Sequence, residues 1–167
     1  MSEFIEAGFA GTDTNRIARR AGFAPQTFYR WFADKFAAFV EVLAVWEEVE
    51  RTTLLAIMFD TQTSGPELAA ACIENARPFL TFRQHLRAVQ MQHEGVREVR
   101  AASRRRLLAA IKDAHSASPD AEWLGLAIYQ IESLSDALAR GELTDMGLSG
   151  AAAMVELARY IDLLRGR

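Results

Sequence analysis

The 167-residue chain has a single cysteine, Cys72, so it forms no intrachain disulfide and no thiolate metal cluster of its own. Cys72 reads as a small buried apolar residue. Proline is scarce, and each of the four falls where a helix would begin or break. β-branched residues are scattered while apolar positions recur at helical spacing, which excludes a sheet-built core. No apolar run approaches the roughly 20 residues that a membrane span requires, because Glu, Arg, Gln or Asp interrupts each candidate. The start, Met1-Ser2-Glu3-Phe4, has neither the basic residues nor the apolar stretch of a signal peptide, so a soluble cytoplasmic protein is expected. A strand-turn-helix nucleophile, a phosphate loop and a compact acid/base cluster are all missing, so no enzyme and no cofactor are expected. His85 and His93 lie two helical turns apart, too far to chelate one ion together, so no metal is expected either.

Half of the residues are apolar and a quarter charged, a balance that fits a globular fold rather than a disordered chain. The net charge of −3 argues against a protein that is basic throughout. Between Thr14 and Lys35, however, Arg16, Arg19, Arg20, Arg30 and Lys35 face Asp34 alone. That local excess of positive charge is what a nucleic-acid surface needs.

The pattern predicts an all-α fold. Thr14 can cap a helix through Ala21, Gly22 can break it, and Pro25 can open another through Phe32. Asp34 suits the N-cap of a long helix to about Met58, with Phe36, Phe39, Val40, Leu43 and Trp46 along one side. Ser64-Gly65-Pro66-Glu67 has the pattern of a capping box. Pro78 then forces a break, with a helix before it and another through about His93. An arginine-studded helix runs from Gly95 to near His115. Its Arg97, Arg100, Arg104, Arg105 and Arg106, completed by Glu98, Leu107, Leu108 and Ile111, read as a solvated amphipathic face. Ser118-Pro119-Asp120 opens a helix to Arg140, which Gly141 stops, and Ser149 caps the last one.

The stretch from Thr14 to Phe32 carries the functional signal. Two short helices that cross steeply need a small residue where their axes approach, and Ala18 fills that place. Gly22 fits the turn, where a positive φ penalises any side chain. Ile17, Ala21, Phe23, Phe28 and Trp31 fall at the apolar contact positions. If the second helix enters a major groove, its outward residues are Ala24, Pro25, Gln26, Thr27, Tyr29 and Arg30. Gln26 suits adenine and Arg30 guanine, while Pro25 and the Thr27 methyl suit thymine methyl groups. Thr27, Tyr29 and Lys35 suit phosphates, which set register without specifying sequence.

Gly8-Phe9, Ile17-Ala18, Ala21-Gly22 and Thr27-Phe28-Tyr29-Arg30-Trp31-Phe32, followed by Asp34-Lys35, resemble the signature of the TetR family of transcriptional regulators. The resemblance covers roughly residues 4 to 45. It implies an all-helical homodimer, usually a repressor of palindromic operator DNA released by a small ligand. A helix-turn-helix head at residues 1–45 would be followed by a ligand-sensing and dimerisation domain at 46–167. Residue by residue, Thr14 would cap the first motif helix near a phosphate, Tyr29 and Lys35 would touch the DNA backbone, and Gln26, Thr27 and Arg30 would sit at the groove. Trp31 departs from the commoner His or Tyr, and Phe36 from Glu. The family opens with a longer amphipathic helix, whereas only Met1 to Ala7 precedes Gly8-Phe9 here. Ile17, Phe28 and Trp31 are therefore expected to lose cover. A start upstream of Met1 is the preferred explanation over a natively shortened head. A module of this family that has lost DNA binding and acts through ligand or protein contacts is the alternative.

Beyond the head no family-specific motif appears. Trp46, Phe59, Phe79, Phe82, Met91 and Trp123 are candidate walls for an apolar or amphipathic effector, with Gln130 as a polar anchor. By similarity, the last two long helices would dimerise as a four-helix bundle through Leu124, Ile128, Ile131 and Leu138 on one and Met154, Ala158 and Ile161 on the other. Periodicity alone allows the same stripes to pack within one chain.

Overall fold

A computed structural model describes residues 1–115 and 120–166 of the chain, and among them there are helices and no strand. The order is α1 (Ser2–Ala7), α2 (Thr14–Arg20), a 3₁₀ segment (Pro25–Arg30), α3 (Lys35–Met58), α4 (Gly65–Ala76), a 3₁₀ turn (Arg77–Phe79), α5 (Leu80–Gln92), α6 (Glu94–Asp113), α7 (Ala121–Arg140), α8 (Glu142–Asp145) and α9 (Ala151–Leu164). No helix among the described residues is long and apolar enough to cross a membrane.

Most helix ends follow local chemistry. Asp34 caps α3 by accepting the Ala37 N–H at 2.8 Å. Glu67 reaches back from the first turn of α4 to accept the Ser64 N–H at 3.0 Å and its hydroxyl at 2.7 Å. Asp120 caps α7 through the Glu122 N–H at 2.7 Å, and Gly141 ends that helix in the left-handed region. Ser118 and Pro119, expected to open α7, lie outside the described residues. Gly150 takes the N-cap position of α9, and the Ser149 hydroxyl accepts the Ala151 N–H at 3.3 Å. Two expectations need correction. Asp13, rather than Thr14, is the N-cap of α2: its backbone is extended and its carboxylate accepts the Arg16 N–H at 2.8 Å. The segment opened by Pro25 is a six-residue 3₁₀ helix ending at Arg30 rather than an α-helix to Phe32, within the length for which α-helical nucleation is costly.

The chain divides into two compact units, and the division does not follow the expected cut after residue 45: the first is Met1–Glu50 with Thr81–Ser103, the second Arg51–Leu80 with Arg104–Arg167. Aromatic packing explains why α5 belongs with the head. Phe39 of α3, fully buried, meets Phe4 and Phe9 at 5.1 Å and Phe82 of α5 at 6.0 Å. Trp46 meets Phe82 at 5.1 Å, and Leu43, Leu86 and Val96 complete this interior. Two ion pairs fasten α3 to its neighbours, Arg83 of α5 with Glu50, and Arg100 of α6, expected on a solvated face, with Glu47 at 3.1 Å. These charges are almost out of water, so removing one partner leaves an expensive buried charge.

The second unit has its core between α4, α7 and α9. Leu68, Ala69 and Cys72 pack with Leu124, Ala127, Ile128 and Ile131 and with Leu157, Ala158, Ile161 and Leu164. Arg165 closes the loop before α4 by donating to the Asp60 carbonyl at 2.5 Å and the Thr63 carbonyl at 3.2 Å.

Candidate nucleic-acid interface

The turn between α2 and the 3₁₀ segment is closed by its own backbone. The Phe23 N–H donates to the Ala18 carbonyl at 2.9 Å and the Gly22 N–H to Arg19 at 3.0 Å, the paired bonds that satisfy a helix C-terminus when the next residue is left-handed. Gly22 supplies that residue, with φ 81°. The direction change brings Ala18, Phe28 and Ala38 together as a small core, with Ile17 and Phe32 at its edge. Ala18 stands at the close approach that the sequence required.

Outside this core the second motif segment exposes Gln26, Tyr29 and Arg30, with Pro25 half-buried. The Tyr29 and Thr14 hydroxyls share a hydrogen bond of 3.2 Å, placing two of the expected backbone-contacting groups side by side. Thr27 is turned differently. It lines an open apolar hollow of about 420 Å³ with Ile17, Ala18, Ala21, Phe23, Phe28, Trp31 and Phe32. Of the three residues expected to lose cover, Trp31 is 77% exposed and Ile17 is half-buried, but Phe28 is only 5% exposed, held in the core with Ala18 and Ala38.

Lys35 also departs from expectation. Its ammonium donates to the Phe9 carbonyl at 2.8 Å and the Thr12 carbonyl at 2.9 Å, and it sits over the Phe9 ring at 4.3 Å. A loop between short helices offers carbonyls that no helical N–H can satisfy, and the lysine at the start of α3 takes up two of them. It is a clamp on the loop rather than a side chain projecting to phosphate.

No motif or spacing pointed to the polar network that sets α1 against α2. Glu3, though charged, is buried. Its carboxylate accepts from the Thr12 hydroxyl at 2.9 Å and pairs with Arg16 at 2.9 Å and Arg20 at 3.1 Å. The Thr12 hydrogen bond, together with the one from Arg20 and the charges of both arginines, outweighs burial and holds this carboxyl below the usual glutamate range. A carboxylate whose folded pKa is depressed contributes stability that is present above its unfolded value and is lost as pH falls through the folded one. The head is therefore expected to lose protection against hydrogen exchange in residues 14–32 below the normal carboxylate range. Glu3→Gln should remove much of that acid dependence, and an unchanged pH profile in the variant would count against the network.

The other candidates do not form one group. Trp46 and Phe82 touch in the core of the first unit, where Met91 is 84% exposed. Phe59 and Phe79 are half-buried, Trp123 exposed and Gln130 half-buried in the second unit. Leu124, Ile128, Ile131, Ala158 and Ile161, expected at a dimer seam, are buried in that unit's own core, with Leu138 and Met154 packed against it.

A basic two-helix motif with outward polar side chains, on an otherwise helical chain, defines the class of helix-turn-helix regulators. Residues 1–42 match the model described as bacterial regulatory proteins, tetR family, so this N-terminal segment is similar to that family's N-terminal domain. No curated protein and no solved structure matches it.

Proposed function

We propose that the chain is a cytoplasmic, ligand-responsive transcriptional repressor that binds palindromic operator DNA as a homodimer. The observation that carries DNA reading is the motif surface, where Gln26, Tyr29 and Arg30 stand outside the small core built on Ala18 and Phe28. Support for the homodimer is the family's symmetry together with apolar side chains left outside the second unit, Trp123, Leu126 and Tyr129 on α7 and Val155 on α9. The effector is an apolar or amphipathic small molecule, and it must bind two arrangements of the dimer with different affinity to move DNA binding at all. An alternative is a dimeric module that works through protein contacts, favoured by the open apolar hollow on the head.

Selection of bound sequences from random duplexes separates the two. A palindromic consensus is expected, and recovery of no sequence would overturn DNA reading. Arg30→Ala should then relax discrimination at one position of each half-site, costing about 1–3 kcal/mol for a lost bidentate contact to guanine. A loss equal on all sequences would reassign Arg30 to the phosphates.

A further inference from the structure

We propose that the α1 carboxylates Glu3 and Glu6 withhold Arg16 and Arg20 from DNA, so that the head grips non-specific duplex with fewer cations than its sequence carries. This rests on the DNA-binding reading. Arg20 is held twice: its Nη1 donates to Glu3 at 3.1 Å and to Glu6 at 2.6 Å, while its Nη2 pairs with the other Glu6 oxygen. Arg16 pairs with Glu3 at 2.9 Å and donates to the Gly11 carbonyl at 2.8 Å.

The planar guanidinium fork that fits a carboxylate fits a phosphate equally well, so a carboxylate in place occupies the donors that DNA would otherwise engage. Exposure decides how the two acids differ. The Glu3 side chain is 7% exposed and belongs to the fold, whereas that of Glu6 is 60% exposed and that of Arg20 38%. Glu3 is thus a positioning residue that sets α2 on α1, and Glu6 is an exchangeable surface partner. With Lys35 turned onto carbonyls, Arg19 and Arg30 are the cations between Thr14 and Lys35 that have no such partner among the described residues. Fewer committed phosphate contacts mean a shallower salt dependence and weaker non-specific binding, which raises the ratio of specific to non-specific affinity.

The test uses the full chain, with Glu6→Gln, Arg20→Ala and the double variant, and reads the slope of log K against log salt on a duplex lacking the operator. Each added phosphate contact steepens that slope by about 0.9. Glu6→Gln is expected to steepen it by about one such step, Arg20→Ala in the wild-type background to leave it unchanged, and the double variant to return it to the wild-type value. Circular dichroism melts of the three variants report folding separately. A wild-type slope in Glu6→Gln, or a flatter one in Arg20→Ala, overturns the proposal while leaving DNA binding standing. Absence of duplex binding by both wild type and Glu6→Gln at low salt overturns the DNA reading and this proposal with it.

Discussion

Replacing Gly8 by alanine is expected to destabilise the head by roughly 2–6 kcal/mol, the sum of two separate penalties. Gly8 ends α1 with φ 67° and ψ 178°, a backbone region essentially reserved for glycine, where another residue costs about 1–3 kcal/mol. A Cβ built there would also lie 1.9 Å from Nδ1 of His85, 2.4 Å from Cε1 and 2.5 Å from Cγ. Because the overlap reaches the base of the ring, moving the far edge of the imidazole does not relieve it. Overpacking of this kind costs about 1–3 kcal/mol more. A single small unit has only about 5–15 kcal/mol to lose, so the change is a large fraction of the total. Urea unfolding of Gly8→Ala, His85→Ala and the double variant separates the two causes. The double variant should recover the steric part of the loss and retain the backbone part. A Gly8→Ala midpoint equal to wild type would show that neither penalty operates.

Gly8-Phe9 was legible as part of a motif, but the reason for its glycine was not, since His85 lies far along the chain. The same division runs through the molecule. Helix ends governed by a few neighbouring residues, such as Asp34, Ser64 with Glu67, and Asp120, could be read because capping is local chemistry. Thr14 was read as the cap of α2 where its neighbour Asp13 serves, and the Thr14 hydroxyl lies instead beside Tyr29. Lys35 and Glu3 illustrate the harder case. A lysine in a basic segment reads as a phosphate contact, and its role as a clamp depends on where the loop carbonyls of Phe9 and Thr12 fall. The Gly22 turn, the Ala18 close approach and the exposed Gln26 and Arg30 were all legible, because a motif this short leaves few ways to arrange its apolar positions. Placement of α5 with the head was not. Its apolar face, Phe82, Leu86 and Val89, would read the same against any partner.

Charging the outward side of α7 and α9 is expected to split the proposed dimer without unfolding its subunits. Periodicity picked the stripe with the strongest apolar repeat on each helix, and the structure spends that stripe on the chain's own core: Leu124 and Ile161 have about one per cent exposure or less. Ile161→Ala should therefore cost about 2–5 kcal/mol of subunit stability, as a cavity in any core does, and should leave assembly to follow folding. Leu126 and Val155 have the opposite character, 53% and 66% exposed on helices that pack against each other. Exposed apolar side chains on a proposed two-fold face are repeated in the partner, so Leu126→Asp with Val155→Asp sets two pairs of like charges into one seam. Sedimentation should report a monomer at micromolar concentration, with helical content and melting close to wild type. Operator affinity should fall by roughly 10²–10⁴, because two linked half-site contacts gain that much from effective concentration. A variant that remains dimeric would move the interface away from this face. One that dissociates yet holds its operator as tightly as wild type would separate dimerisation from DNA reading.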